Sequence, residues 1–359
     1  MISVTLGKMV SLCYNISIMK NYIVFDLEWN QSANGKERSI PHFPFEIIEI
    51  GAVKLNETFQ MVDEFHRLIR PQVYTQMHHA ISEVTHMDMK ELRNSGELFP
   101  DAAADFLSWC GGGAVFCTWG NMDLLELQRN MDYYHMDNPF PKPLFYYDVQ
   151  KLYGLFCREN ARISLDSAVE EQSLLENRPF HRALDDAYYT GKLLTMLGHE
   201  PGPDTILPFL SVDYYRLPAD KKEEIRMTFP GYSKYVSRIF DTKEDAMEDK
   251  GVTEMCYRCG RMLRKKVRWF TPNQKTYFAL ACCPEHGYLK GKIRMKKVEE
   301  ESVFVVKTLK LTDEEGAQNI IQRKEDVRKK RAERNRMKRR QKQAQKKAVS
   351  TSRCTKKLP

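Results

Sequence analysis

The chain has 359 residues, of which 42% are hydrophobic and 11% aromatic, enough for two or three units with a real core in the first. No stretch approaches the roughly 18 consecutive apolar residues of a membrane helix, which excludes a membrane-spanning helix as the organising feature. Of nine cysteines, Cys13, Cys110, Cys117, Cys157 and Cys354 are scattered and only Cys256, Cys259, Cys282 and Cys283 cluster. That pattern excludes a disulfide framework and points to a reducing, cytoplasmic setting.

Residues 1–18 read as an N-terminal extension, with Met19 an alternative start. The uncharged run from Met9 to Met19 lies between Lys8 and Lys20. It lacks the small-residue cleavage site of a signal peptide, and a strand begins at once. Apolar runs at 22–27, 46–55 and 61–69 predict three strands, the first two joined by the polar loop Gln31-Ser-Ala-Asn-Gly-Lys-Glu-Arg38. Helical periodicity covers 98–109 and 122–135, with a buried strand at 112–118 between them. Gly111-Gly-Gly113 is read as a turn, because no Gly-Lys-Ser/Thr follows it. A short strand at 145–149 precedes helices at 150–159, 165–174 and 183–198. Strands followed by interleaved helices predict a mixed α/β sheet over residues 19–200.

Beyond 200, Pro201, Pro203, Pro208, Pro218 and Pro230 break any long helix. Residues 201–250 are therefore read as a linker, docked by Tyr214, Tyr215, Tyr232 and Tyr235, with a short charged helix at 241–250. Residues 251–298 carry Cys256-Tyr-Arg-Cys259-Gly260 and, later, Cys282-Cys283-Pro-Glu-His286-Gly287. Two such pairs suit a tetrahedral zinc site, Cys256, Cys259 and His286 with either Cys283, the preferred fourth ligand, or Cys282. Segments 262–270 and 276–281 form a hairpin about Thr271-Pro-Asn-Gln, giving a zinc-ribbon β unit that its metal must hold together. Residues 299–359 are expected to be an acidic, then basic tail, a disordered or helical arm without an apolar stripe.

Charge is segregated. Residues 1–255 hold 25 Lys+Arg against 38 Asp+Glu, a balance of −13; residues 256–297 carry +11, 298–322 carry −4 and 323–359 carry +14. An acidic first unit is followed by two basic segments, which suit a polyanionic partner such as nucleic acid. Across 261–297, Arg261, Arg264, Lys265, Lys266, Arg268, Lys290, Lys292, Arg294, Lys296 and Lys297 interleave with Trp269, Phe270 and Tyr277, which suits single-stranded nucleic acid or a structured RNA. A ribosome or a protein is the alternative partner for the basic tail.

Four short pieces of the first unit carry the chemistry. Asp26 and Glu28 end an apolar strand and, two residues apart, share one face. Asp123 opens a helical pattern after Trp119-Gly-Asn-Met. His181 and Asp186 lie together in His181-Arg-Ala-Leu-Asp-Asp186-Ala. Clustered carboxylates call for a hard divalent cation with oxygen ligands, and His181 is a candidate base because imidazole titrates near neutral pH.

The order Asp-x-Glu, Asp, His-x4-Asp resembles the DEDDh branch of the 3′–5′ exonucleases, which have an RNase H-like fold. Phe45-Glu-Ile-Ile-Glu-Ile-Gly-Ala-Val53 resembles that family's second strand and Phe65-His-Arg-Leu-Ile-Arg-Pro71 its third. Val84-Thr85-His86 stands where the family usually has Leu-Thr-Gly. The resemblance implies an RNase H-like mixed sheet flanked by helices, and a 3′–5′ exonuclease releasing nucleoside monophosphates. It assigns two Mg²⁺ or Mn²⁺ to Asp26, Glu28 and Asp186, with Asp123 acting on the second metal and His181 as general base. The Glu46-Ile-Ile-Glu-Ile-Gly region is similar to the RNA-trimming, Eri-like and sporulation-inhibitor-like branch, so single-stranded RNA is the expected substrate. A DNA exonuclease of repair or proofreading uses the same catalytic pieces. A non-catalytic nucleic-acid-binding adaptor would not need all five of those side chains.

Overall fold

The computed structural model describes residues 21–354, apart from 159–161, 230, 254, 274 and 299–300. The extension expected over 1–18 lies outside the described residues. The chain divides into two compact units, one ending at Arg216 and the other beginning at Leu217.

The first unit contains β1 (Asn21–Asn30), β2 (Glu46–Asn56), β3 (Met61–Leu68), α1 (His79–Thr85), α2 (Met89–Ser95), α3 (Phe99–Cys110), β4 (Val115–Thr118), α4 (Met122–Tyr133), β5 (Phe145–Asp148), α5 (Val149–Phe156), α6 (Leu165–Glu171), α7 (Ala183–His199), α8 (Pro203–Ile206) and β6 (Ser211–Val212). Its sheet runs β3-β2-β1-β4-β5-β6. β1 is antiparallel to β2 but parallel to β4, and β4 is parallel to β5, so the sheet is mixed, as expected. β1 is apolar on both faces because both are covered. Ile23, Phe25 and Leu27 face a core built with Phe106, Leu124 and Leu127. Tyr22, Val24 and Asp26 share the other face with their β2 partners Leu55, Val53 and Gly51. α7 lies on that second face, where Gly191 closes on Val53. His86, at the glycine position of the family pattern, caps α1 in the left-handed conformation (φ 56°), so the turn persists on a residue less suited to it.

The second unit contains β7 (Ile225–Phe229), β8 (Tyr232–Val236), α9 (Lys243–Glu248), α10 (Lys250–Thr253), β9 (Arg264–Phe270), β10 (Thr276–Cys283), β11 (Gly287–Lys297), β12 (Val303–Leu311) and α11 (Glu314–Cys354). Its sheet order is β7-β8-β12-β11-β10-β9, antiparallel throughout. Three expectations change here. The segment read as a linker over 201–250 supplies β7 and β8, because Ile225, Met227 and Phe229 alternate with more exposed residues and bury one face. The hairpin of the cysteine region is present as β9 and β10, but it is not a separate ribbon over 251–298. β12, within the segment read as a tail, pairs along β11 from Leu289↔Leu311 to Lys297↔Val303 and fills what would otherwise be an open edge. The basic arm is helical: Ala317 and Ile320 pack on Val267 and Leu280, and from Gln322 to residue 343 nearly every side chain is exposed. Among the described residues, no helix is long and apolar enough to cross a membrane.

Candidate active site

The acidic cleft forms where β1 and β4 part. Their parallel pairing runs from Tyr22↔Val115 to Val24↔Cys117. Beyond it the Leu27 N–H donates instead to Asp123 Oδ1, at 3.3 Å. Asp123 is the second residue of α4, where the helix dipole favours negative charge. Crevices outside the carboxyl ends of parallel strands are the usual ligand sites of open α/β sheets.

Asp186 arrives from α7. A Cβ on Gly51 would lie 2.0 Å from the Leu184 backbone nitrogen, so only glycine lets the start of α7 rest on β2 beside Asp26. His181 takes a left-handed backbone (φ 66°), uncommon for a side chain with a Cβ and frequent at functional sites. That turn aims its N–H at Asp186 Oδ2, 3.0 Å away, while its exposed side chain stays outside the buried cluster. Asp185 points elsewhere and pairs with Arg178 at 3.2 Å.

Asp26, Glu28 and Asp186 each bring a carboxylate oxygen within 4.8 Å of the others. Burial, then the charges of Asp123, Asp186 and Glu28, pushes Asp26 well above the usual carboxylate range. Burial, then Asp186 and Glu49, raises Glu28 to about 8. Burial raises Asp123 and Asp186 to about 7 each. Asp186 Oδ1 is buried and has no hydrogen-bond partner among the described residues. Crowded, desolvated carboxylates with an orphaned oxygen fit hard divalent cations, which take oxygen ligands and lower such pKa values.

Glu49 was not singled out from the sequence, although an acid inside the buried run of β2 is a signal. It stands opposite Glu28 on β2 and is 1% exposed. Its carboxylate accepts from Arg182 Nη2 at 2.9 Å and from the Ala183 N–H at 3.1 Å, and His66 Nε2 lies 2.7 Å away. Burial would raise its pKa, but His66 and Arg182 outweigh that and hold it below the usual range. Glu49 thus fastens the N-terminus of α7 to β2. Glu49→Gln is expected to lower stability by about 1–2 kcal/mol, less than for a fully buried pair because Arg182 is 32% exposed. It should also lower kcat more than it raises KM. Thermal unfolding with steady-state kinetics checks this; a change in KM alone would place Glu49 in substrate binding.

A second cluster lies in the second unit. Cys256, Cys259, Cys283 and His286 present their ligand atoms within 4.8 Å of one another. Cys259 Sγ and Cys283 Sγ are 3.6 Å apart, and His286 Nδ1 is 3.6 Å from Cys283 Sγ and 3.9 Å from Cys256 Sγ. Zn–S bonds of about 2.3 Å in a tetrahedron require ligands roughly 3.8 Å apart. Burial pushes the Cys283 thiol up, but N–H groups of Glu285 and His286 and the His286 ring bring it down to about 6. Gly260 (φ 69°) and Gly287 (φ 75°) turn the chain back under the sulfurs. Cys282 Sγ stands apart from the four, near the Cys283 carbonyl oxygen at 3.6 Å.

The first unit is similar to known exonucleases. Residues 23–194 match the exonuclease family model RNase_T. A probable 3′–5′ exonuclease of Bacillus subtilis (strain 168), KapD, is 28% identical over 200 residues, covering 51% of this chain and 90% of that protein. The nuclease domain of 3′hExo, a DEDDh family member solved bound to rAMP, is 22% identical, with a TM-score of 0.44 over 55% of this chain and 98% of that one. A 3′-exonuclease solved with the histone mRNA stem-loop is 19% identical, with a TM-score of 0.44 over 56% of this chain and 94% of that one. Residues 23–194 match an exonuclease domain, and the chain is a metal-dependent, hydrolytic 3′–5′ exonuclease with a second unit attached.

Proposed function

We propose that this chain trims single-stranded RNA from its 3′ end, with Asp26, Glu28, Asp123 and Asp186 holding two Mg²⁺ or Mn²⁺ and His181 as general base. The convergence of oxygens from Asp26, Glu28 and Asp186, from one strand and one distant helix, is the observation that carries the reading. The cations, when bound, neutralise the carboxylates and stabilise charge building on the phosphoryl oxygens. The protein does the rest. β1 fixes Asp26 and Glu28, and the Leu27 N–H orients Asp123. The His181 N–H orients Asp186. The His181 imidazole, on the solvent side, accepts the proton of the attacking water.

The preference for RNA rests on the likeness of Glu46-Ile-Ile-Glu-Ile-Gly to the RNA-trimming branch. Purified protein with Mg²⁺ or Mn²⁺, on end-labelled single-stranded RNA and DNA of one sequence, tests it. Faster release of nucleoside 5′-monophosphates from RNA is expected; faster release from DNA makes it a DNA exonuclease. The cytoplasmic setting we propose rests on the scattering of the other cysteines away from the one metal-like cluster.

We also assign one structural zinc to Cys256, Cys259, Cys283 and His286. One zinc per chain is expected in protein purified without chelator. Cys283→Ser should lose the metal and unfold the second unit, because such a site contributes folding free energy. Cys282→Ser should keep both. Elemental analysis with thermal unfolding decides, and the reverse pattern would make Cys282 the ligand.

A further inference from the structure

One face of the second sheet carries like charges placed against one another. Along β11, Leu289, Gly291, Ile293 and Met295 are buried, and the alternate residues Lys290, Lys292 and Arg294 emerge on the opposite face. Across the ladder, Lys290 stands directly opposite Lys310 of β12, and Lys292 lies between Thr308 and Phe278. α11 adds Arg323, whose guanidinium sits 3.8 Å above the Phe278 ring. None of Lys290, Lys292, Arg294, Lys310 and Arg323 has an ion pair with a carboxylate among the described residues. Burial, followed by the charges of Arg294 and Arg323, holds the Lys292 ammonium below its ordinary range. Directly opposed like charges destabilise an antiparallel pair. Like charges set opposite one another, with no carboxylate paired to them among the described residues, are typical of a functional surface.

We infer that this face, Lys290, Lys292, Arg294 and Lys310 with Arg323 at its margin, binds the phosphate backbone of a single nucleic-acid strand. The inference rests on the exonuclease reading. It adds that substrate is held by the second unit as well as at its 3′ end. Alternate residues of a strand are about 6.6 Å apart, comparable to successive phosphates of an extended single strand. A positively charged face that tracks a backbone is the common device of sequence-tolerant single-strand binding. Phe278 lies under Arg323 and Tyr232 stacks on Phe229 at 4.4 Å, so the face offers charge before base stacking.

The test is Lys290→Gln/Lys292→Gln/Arg294→Gln in the full-length protein, beside a charge-matched control at Lys221, Lys222 and Lys243. Binding of long RNA and DNA strands is measured in EDTA, and nucleotide release from a dinucleotide and from long strands in Mg²⁺. The triple variant should bind both long strands at least tenfold more weakly. Its slope of log affinity against log salt should fall by about 2, since each phosphate contact on a single strand contributes roughly 0.7. Its rate on the dinucleotide should match wild type, and its Tm should rise, because the repulsion at Lys290 and Lys310 is relieved. An unchanged salt slope, or an equal loss in the control, overturns the inference and leaves the face to an acidic protein partner. If wild type releases nothing from either substrate, the exonuclease reading fails, while the binding arm in EDTA still judges the face.

Discussion

Asp26→Asn protein will release nucleotides at least about a thousandfold more slowly than wild type, the several kcal/mol that metal ions contribute to phosphoryl transfer. Its metal-free form will nevertheless unfold at a higher temperature than metal-free wild type at pH 8. The four acids have folded-state pKa values above their unfolded values: Asp26 far above, Glu28 at about 8, and Asp123 and Asp186 at about 7. A group shifted upward contributes stability that is complete below its unfolded pKa, about 4 for a carboxylate. That contribution is lost as pH rises through the folded pKa. Metal-free wild type should therefore weaken as pH rises from about 4 to about 8, and Asp26→Asn, with one charge fewer, should weaken less. Mg²⁺ or Mn²⁺ should restore wild type most at the alkaline end, because ionised carboxylates bind the metals. Thermal unfolding against pH, with EDTA and with Mg²⁺, measures all three. Full activity in Asp26→Asn, or a metal-free form less stable than wild type at pH 8, would sink the assignment.

Gly51→Ala will damage both fold and catalysis although it adds a single methyl group. The new Cβ would lie 2.0 Å from Leu184 N, 2.1 Å from Ala183 C and 2.4 Å from Leu184 Cα. All three are backbone atoms, so no side chain can rotate away and α7 must move. A stability loss of about 3 kcal/mol or more is expected, at the upper end for overpacking. Because α7 carries Asp186, a shift near 1 Å should also cost roughly a hundredfold in kcat. Gly191→Ala is the comparison. Its Cβ would meet Val53 Cγ2 at 2.9 Å and Met61 Cε at 3.2 Å, side-chain atoms that can yield. Equal damage in the two variants would mean that Gly51 is not what seats the helix.

The first unit was legible because its chemistry is local in sequence. An apolar run ending in Asp26-x-Glu28 states both a central strand and where it becomes polar. The spacing from His181 to Asp186 was likewise legible, as was the resemblance that assigned roles. Glu49 was not: its importance comes from Arg182 and His66, which only the folded chain brings to it. The second unit was misread where pairing is non-local. β7 and β8 are short strands among prolines, and β12 follows an acidic stretch, so each looked like connection; β7 pairs with its neighbour β8, and that hairpin joins the sheet through the pairing of β8 with the distant β12. The cysteine pairs gave the four-residue cluster from spacing, with Cys283 preferred over Cys282, and the structure groups Cys283 with Cys256, Cys259 and His286.

α11 has a divided character. Ala317 and Ile320 fix its first turns to the sheet, and nearly all described side chains from Gln322 onward are exposed. Initiating a helix is the unfavourable step, and extending it adds one bond per residue. The packed turns act as a seed, and the cationic stretch beyond them lengthens or frays according to its own repulsion. Like charges four apart on a helix oppose one another, and salt screens them. Raising ionic strength should thus lengthen this helix while weakening the hold of the protein on a nucleic-acid strand. Circular dichroism and binding would then report opposite signs from the same charges, and a bound polyanion could do what salt does, converting frayed residues into helix as it docks.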